Sequence, residues 1–388
     1  MLVTPSTNWS FPTALRIGAG CVSELAAACE KHGIERPLIV TDPGMVQLPV
    51  LDALQSSFAM PVPVFSEIQP NPVGANIDAG VEAFRAGNHD GVIAFGGGSA
   101  LDCGKVIAFQ SGQTLPMWDF EDIGSNWTRA NADAIAPVIA VPTTAGTGSE
   151  VGRAGVVINE TAKRKVILFH PKMLPVAVLC DPELTVGLPR MLTVGTGIDA
   201  LSHSLEALCA PAYHPMAHGI GLEGCRLVLE HLPRVVDDPS DLASRAHMMS
   251  AAAMGAVAFQ KGLGGMHALA HPIGAVFNTH HGMTNAVLMP YVLEANRSAI
   301  EPTIGRLAAY VEIDGGFDGF LEHIISLRDS LGVPHRLVDL GVDESQVAMI
   351  ADAAAVDPSA GGNPIPFTAT LAAEVFARAC EGHLEGTR

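Results

Sequence analysis

Two segments of this chain carry residue types that can hold a divalent metal ion. In the first, Asp199 and His203 stand one helical turn apart; in the second His267 and His271 do the same, and His280 and His281 follow. Residues four apart share one face of a helix, so two helices could present a carboxylate and several imidazoles to a single ion. A helix can also carry an Asp and a His merely as a capping or hydrogen-bonded pair. The neighbours weigh against that reading: Leu201 and Leu205 flank one pair, Leu269 and Ile273 the other. They predict burial, where a polar group without a partner is costly. Asp and His ligands with no Cys suit Zn²⁺, Fe²⁺ or Mn²⁺ and a catalytic centre better than a thiolate structural site.

The elements that must position these residues fall into two kinds. In the first half, residues 38–41, 62–65, 91–95 and 138–141 read as strands, separated by amphipathic helical stretches such as 22–31 and 75–86. This alternation predicts a doubly wound, Rossmann-like α/β sheet. From about residue 182 onward, Ala-, Leu- and Met-rich helical patterns take over, punctuated by Gly187, Pro189, Pro211, Pro215, Pro233 and Pro239. We therefore expect an α/β dinucleotide-binding domain over residues 1–184 and an all-α metal-binding and substrate domain over residues 185–388. Residues 118–132 are polar and aperiodic, which predicts a long surface loop beside the nucleotide end of the sheet.

Two loops of the first half suit a nucleotide. The strand ending at Phe95 runs into Gly96, Gly97, Gly98 and Ser99 and then a helical stretch with Asp102 and Lys105. Backbone N–H groups of such a turn can approach a pyrophosphate, aided by the helix dipole. The G-x-G-x-x-G pattern is incomplete, because Leu101 stands where its last glycine belongs, and a tight structural turn would also explain the run. A second loop, residues 142–150, is dense in small donors, including Thr143, Thr144 and Thr147. Asp42, after the strand 38–41, can accept hydrogen bonds from an adenosine ribose and would repel a 2′-phosphate, favouring NAD over NADP. It can equally be a plain turn residue before Pro43.

Composition excludes several classes. A chain of 388 residues, 48% hydrophobic, can bury more than one core. Its formal charge of −18 opposes binding to nucleic acid or anionic membranes. The seven cysteines form no Cys-x-x-Cys pair, and their odd number argues against a disulfide framework, so they are expected to be reduced and buried. Residues 1–12 lack a secretory pattern, and the apolar stretch 248–259 is too short to span a bilayer, which together predict a cytoplasmic protein.

These residues resemble the iron-containing (group III) alcohol dehydrogenase family, over nearly the whole chain. The likeness includes residues 40–42, 96–99 with Asp102 and Lys105, 142–150, 181–182, 197–206 and 267–282, in matching order and spacing. It implies the dehydroquinate-synthase-like fold of that family, with NAD beside a divalent metal in a cleft between an N-terminal nucleotide domain and a C-terminal helical domain. It also implies that the metal ligands are Asp199, His203, His267 and His281, whereas His271 matches a non-ligand histidine near the nicotinamide. Lys165 matches a cofactor-contacting lysine, and His280 matches no functional position. The family points to Fe²⁺, with Zn²⁺ the alternative that supply can favour.

The chemistry then expected is hydride transfer between a primary alcohol and NAD. The metal eases loss of the alcohol proton, and His271 relays that proton to solvent. Lys261, two residues after Phe259, and Arg153 could receive the anionic end of a carboxylated, sulfonated or phosphonated substrate, although a solvated surface lysine is the commoner use. Residues 361–366 resemble the family's late Asn-Pro element, with Ile365 where an arginine is common. Partners are thus a small alcohol or aldehyde and a second copy in a homodimer or larger homo-oligomer. Three other readings share parts of this picture: a hydroxyacid dehydrogenase or transhydrogenase, a maleylacetate-reductase-like enzyme, and a dehydroquinate-synthase-like lyase. A non-enzymatic metal-binding protein would leave the nucleotide loops without purpose.

Overall fold

Aliphatic residues alternate between two faces in the strands of the first half, and that alternation builds two cores. The computed structural model describes residues 9–162 and 164–384, and the chain divides into two compact units. The sheet unit comprises residues 11–188 with 240–249; the helical unit comprises the other described residues. The strands are β1 (Ala14–Ile17), β2 (Pro37–Val40), β3 (Val64–Phe65), β4 (Gly91–Gly96), β5 (Val138–Pro142), β6 (Ala154–Asn159), β7 (Arg164–Phe169) and β8 (Ala177–Cys180). Six of them form a sheet in the order β1-β8-β5-β4-β2-β3, every neighbouring pair parallel. The remaining two, β6 and β7, pair as an antiparallel hairpin in which Ile158 lies opposite Lys165.

Helices cover both faces of this sheet: α1 (Leu25–Lys31), α2 (Pro49–Gln55), α3 (Gly74–Ala86) and α4 (Gly98–Gln110). Leu38, Val40, Val92, Ala94, Val138 and Ala140 join Ile77 and Val81 of α3 and Val106 and Phe109 of α4 in one core. Their sequence neighbours Ile39, Ile93, Phe95, Ile139 and Val141 point the other way and pack with Leu25 of α1 and Leu51 and Leu54 of α2. A strand buried on both faces reads as a continuous apolar run, which is the signature of a parallel sheet. The strand order reverses between β2 and β4, so the carboxyl ends of these two strands flank the crevice where such sheets bind ligands.

The strands read from sequence correspond to β2, β3, β4 and β5, with ends shifted by one or two residues. Strands β1 and β8 and the hairpin escape that reading for identifiable reasons. β1 is an edge strand with an exposed Arg16 register partner facing Leu179, and the hairpin carries Arg164 and Lys165. β8 is four residues, of which only Val178 is β-branched, so it lacks the strand signal of composition. The segment 118–132 is only in part the surface loop expected. It holds two short 3₁₀ turns, and Phe120 is buried edge-to-face on Phe109, 4.9 Å between centroids.

The helical unit is built from α5 (Arg190–Cys209), α6 (Pro215–Asp237), the latter part of α7 (Leu242–Ala258), α8 (Gly265–Phe277), α9 (His281–Tyr310), α10 (Gly316–Leu331), α11 (Val347–Ala355) and α12 (Ala369–Glu381). Helix α5 is its axis, packed by α6 and α9 and buried along most of its length from Thr193 to Leu208. Asp199, Ser202, His203 and Glu206 are buried on it beside Leu201, Leu205 and Leu208, and buried polar groups need partners. No helix among the described residues is long and apolar enough to cross a membrane. All seven cysteines are free thiols; Cys209 is partly exposed and the other six are buried, as reduced core residues.

Glycines test this packing directly. A Cβ on Gly104 would come within 2.6 Å of the Ala94 Cβ, so α4 lies on β4 only because position 104 lacks a side chain. Gly219 of α6, by contrast, is exposed with open space around its Cβ position. In urea unfolding, Gly104→Val should cost roughly 1–3 kcal/mol through overpacking, whereas Gly219→Ala should add about 0.5–1 kcal/mol.

Candidate metal centre and nucleotide loops

Helix α5 carries Asp199 and His203 on one buried face, 2% and 5% exposed, and α8 brings the buried His267 to them. One donor atom from each of these three residues lies within 4.8 Å of the others. Tetrahedral ligands with bonds near 2.1 Å stand about 3.4 Å apart, so modest side-chain closure would suffice. His281, the first residue of α9, places Nε2 3.6 Å from Asp199 Oδ1, while His267 Nε2 is 3.9 Å from the same oxygen. The Asn285 amide nitrogen lies 2.9 Å from Asp199 Oδ1, 3.2 Å from His281 Nε2 and 3.3 Å from His267 Nε2. One amide nitrogen thus meets a carboxylate oxygen and two imidazole nitrogens, and the donor set fits a divalent cation.

The backbone explains how His281 arrives there. Asn278 ends α8 in the left-handed region at φ 52°, and His280 caps α9 by accepting the Met283 N–H on Nδ1. A Cβ on Gly282 would lie 2.1 Å from the Gly195 carbonyl oxygen, and one on Gly195 would meet the His280 ring at 2.8 Å. Helices α5 and α9 therefore touch backbone to backbone beside Asp199 and His281. On the opposite side Gly255 of α7 lets that helix close on His203, whose Cβ would otherwise be 3.0 Å from an added methyl. The Phe259 ring lies edge-on to His203 at 5.1 Å.

His271 takes a different place from its helix neighbour. Its ring stacks on His281, centroids 5.5 Å apart and planes 11° apart, and its Nδ1 is 2.9 Å from Asp357 Oδ2. Asp357 is itself held by the Ser359 N–H, and the His271 partnership outweighs burial to keep its carboxyl below the usual range. With about one fifth of its side chain exposed, His271 can reach solvent.

Three residues to which the sequence alone assigns no role hold the α8 end of the centre. Glu206 accepts the Met266 N–H on Oε1 and meets His267 Nδ1 with Oε2, both at 2.7 Å. Burial alone would depress the His267 imidazole, but Glu206, with Asp199 and Asp357, outweighs it and raises the pKa. Asn363 accepts the Gly265 N–H and exchanges two hydrogen bonds with Asn296. Glu206 had a signal in the sequence, because it lies one turn beyond His203 on the ligand face of α5. Asn296 and Asn363 had none beyond the Asn-Pro likeness.

Lys261 donates to the Leu208 carbonyl at 2.9 Å, near the end of α5, and burial lowers its pKa. Arg153 belongs to the sheet unit, where its guanidinium lies over the Phe169 ring at 5.5 Å.

In the sheet unit, Asp42 follows β2 and Gly96 ends β4, on the two sides of the strand-order reversal. Asp42 Oδ1 accepts the N–H groups of Gly44 and Met45, the turn role, while a Cβ on Gly96 would lie 3.5 Å from its Oδ2. Gly97 caps α4, whose first turn of N–H groups points out of the helix. Added methyls on Gly97 and Gly98 would meet Thr144 at 3.4 Å and Thr147 at 2.6 Å, so the two loops interlock. Ser99 donates its hydroxyl to the Pro70 carbonyl, and Thr143 is buried with its N–H on the Gly96 carbonyl. Asp102 accepts the Ser149 hydroxyl at 2.5 Å and the Val156 N–H at 3.0 Å. The buried Lys105 amine donates to the Ser149 and Ala154 carbonyls and sits 3.3 Å from Asp102. Asp102 and Lys105 thus tie the second loop to α4.

The family described as iron-containing alcohol dehydrogenase matches residues 12–182, and the C-terminal domain of the Fe-containing alcohol dehydrogenase family matches residues 193–380. The chain belongs to this family, and it is an oxidoreductase. It is 39% identical over 369 residues to a 4-hydroxybutyrate dehydrogenase of Cupriavidus necator, covering 91% of this chain and 94% of that protein. The crystal structure of a 1,3-propanediol oxidoreductase superposes with a TM-score of 0.91 at 30% identity, covering 96% of this chain and all of that one. A sulfoacetaldehyde reductase from Bifidobacterium kashiwanohense, solved in complex with NAD⁺, gives 0.88 at 26% identity, covering 96% and 99%.

Glu150 offers a test of the second loop. Burial pushes its carboxyl up to about 7, with Lys105 opposing. Between the ordinary value near 4.5 and about 7 the folded chain holds a proton that the unfolded chain has released, so stability is lost as pH rises through that window. Glu150→Gln should remove this loss: urea unfolding at a series of pH values should show the wild type falling behind the variant across the window.

Proposed function

We propose that this chain interconverts a primary alcohol and an aldehyde with NAD, at a divalent-cation centre held by Asp199, His203, His267 and His281. We further propose that its substrate carries an acid group. The observation that carries the first part is the convergence of the buried Asp199 carboxylate with imidazole nitrogens from three helices. When bound, a divalent cation would supply a Lewis acid for the alcohol oxygen, and NAD a hydride acceptor.

The chain's own residues do the rest. Asp199 contributes one negative charge, and the imidazoles bind as neutral donors, so the centre keeps net positive charge toward an oxygen ligand. His271 has its Nδ1 engaged by Asp357, which leaves Nε2 to take the alcohol proton and pass it to solvent. The α4 N-terminus with Gly97, Gly98 and Ser99 offers N–H groups to a pyrophosphate. Asp42 Oδ2 is available to a ribose, and Thr143, Thr144, Thr147 and Lys165 line the remaining cofactor contacts; Asp102 holds the loop that presents them.

The acid group draws support from likeness to relatives named for 4-hydroxybutyrate and sulfoacetaldehyde. Lys261 shares the turn that bears Phe259, and its amine has donors beyond the one spent on Leu208. Arg153 is the second candidate cation for that group.

Two experiments test this reading. Full-length protein reconstituted anaerobically with Fe²⁺ or Zn²⁺ should oxidise NADH with aldehydes. His267→Ala should lose the cation, whereas His271→Ala should keep it and slow turnover by roughly 10²–10⁴-fold; equal metal loss in both would refute this division of roles. Comparing butanal with a semialdehyde of the same length, Lys261→Ala should raise KM for the semialdehyde by about tenfold or more and leave butanal unchanged. An equal effect on both would remove Lys261 from substrate binding.

A further inference from the structure

We propose that Glu206 is a positioning residue that decides which nitrogen of His267 faces the cation, an inference that rests on the metal reading above. A neutral imidazole carries one N–H, on Nδ1 or on Nε2, and only the bare nitrogen can bind a metal. Glu206 Oε2 lies 2.7 Å from His267 Nδ1, and both side chains are buried, at 4% and 2% exposure. An ionised carboxylate only accepts, so the proton belongs on Nδ1. His267 Nε2 is then the bare nitrogen. It is also the atom that faces Asp199, and the Asn285 amide nitrogen, a donor, approaches it at 3.3 Å. The two contacts reach opposite sides of the ring and agree on the tautomer.

The other oxygen of Glu206 makes the arrangement stiff. Oε1 accepts the Met266 N–H at 2.7 Å, so one carboxylate is bound to the backbone and to the ring of adjacent residues. A Cβ on Gly264 would stand 3.1 Å from Oε1, so the backbone closes over this oxygen. Outer carboxylates that fix a ligand histidine in this way typically govern metal affinity by 10–100-fold.

Glu206→Gln keeps the size of the side chain and removes one acceptor. If its oxygen stays on Met266, its NH₂ faces Nδ1 and drives the ring proton to Nε2, where it blocks the metal. Two readouts on the full-length protein test this. The first is the tautomer of His267, from long-range ¹H–¹⁵N correlations of the neutral ring in chelator-treated protein, assigned by loss of the signal in His267→Asn. The second is Zn²⁺ affinity by competition with a chromophoric chelator. We expect Nδ1–H in wild type, Nε2–H in Glu206→Gln, an affinity 10–100-fold weaker in that variant, and partial recovery of both in Glu206→Asp. Thermal unfolding of the chelated proteins guards against a folding defect. An unchanged tautomer, or an unchanged affinity, in Glu206→Gln overturns the proposal. A wild type that takes up no Zn²⁺ overturns the metal reading instead, and the ring signals still decide whether Glu206 sets the tautomer.

Discussion

The helical unit depends on the backbone contact between α5 and α9. Gly195 and Gly282 have no side chains, and the Cβ that Gly282 lacks would lie 2.1 Å from the Gly195 carbonyl oxygen. Only at that separation can the first residue of α9 place an imidazole nitrogen 3.6 Å from a carboxylate on α5. The same contact buries Asp199, and an isolated carboxylate in an apolar core is strongly disfavoured. Close approach and charge compensation therefore impose each other. The helices must touch for Asp199 and His281 to meet, and these side chains must meet, around Asn285 or a cation, for the carboxylate to be tolerable there.

The sheet unit applies the same device with a different result. Glycines at 97 and 98 admit Thr144 and Thr147, and Gly104 admits Ala94, so a helix, a strand and two loops close on one another without intervening side chains. What they create is a rim of backbone N–H groups rather than a cluster of ligands. Asp102 and Lys105 serve this rim from beneath. Their polar atoms meet Ser149, Ala154 and Val156, and so hold loop 142–150 and the start of β6 against α4.

Much of this was legible in the residues themselves. Strands β2, β4 and β5 announced themselves because central parallel strands are apolar on both faces, and the pair Asp199 and His203 did so because helical pitch is regular. The pairing of His267 with His271 obeyed the same pitch and pointed to a different ligand from the one the geometry places beside Asp199. The reason is that His281 reaches Asp199 through a chain reversal. Its position depends on a left-handed Asn278, a capping His280 and a glycine, and none of these has a period to read. Resemblance to a family supplied that assignment where spacing could not. Edge strand β1 and the hairpin were hidden by their charged residues, and Asn296 by its distance in sequence from its partner Asn363.

The α8 end of the centre shows why such residues escape notice. Gly265, Met266 and His267 present three donors, and these are received by Asn363 and Glu206, from segments about 100 residues downstream and about 60 upstream. Helix N-termini have unsatisfied N–H groups that are usually capped from within the local sequence. Here the local residue is Gly264, which cannot cap through a side chain. Both caps come instead from the fold, so the orientation of His267 is coupled to α5 on one side and to the late Asn-Pro element on the other. The placing of helix α8 therefore depends on both segments at once, because Glu206 and Asn363 each receive two donors in one buried polar network.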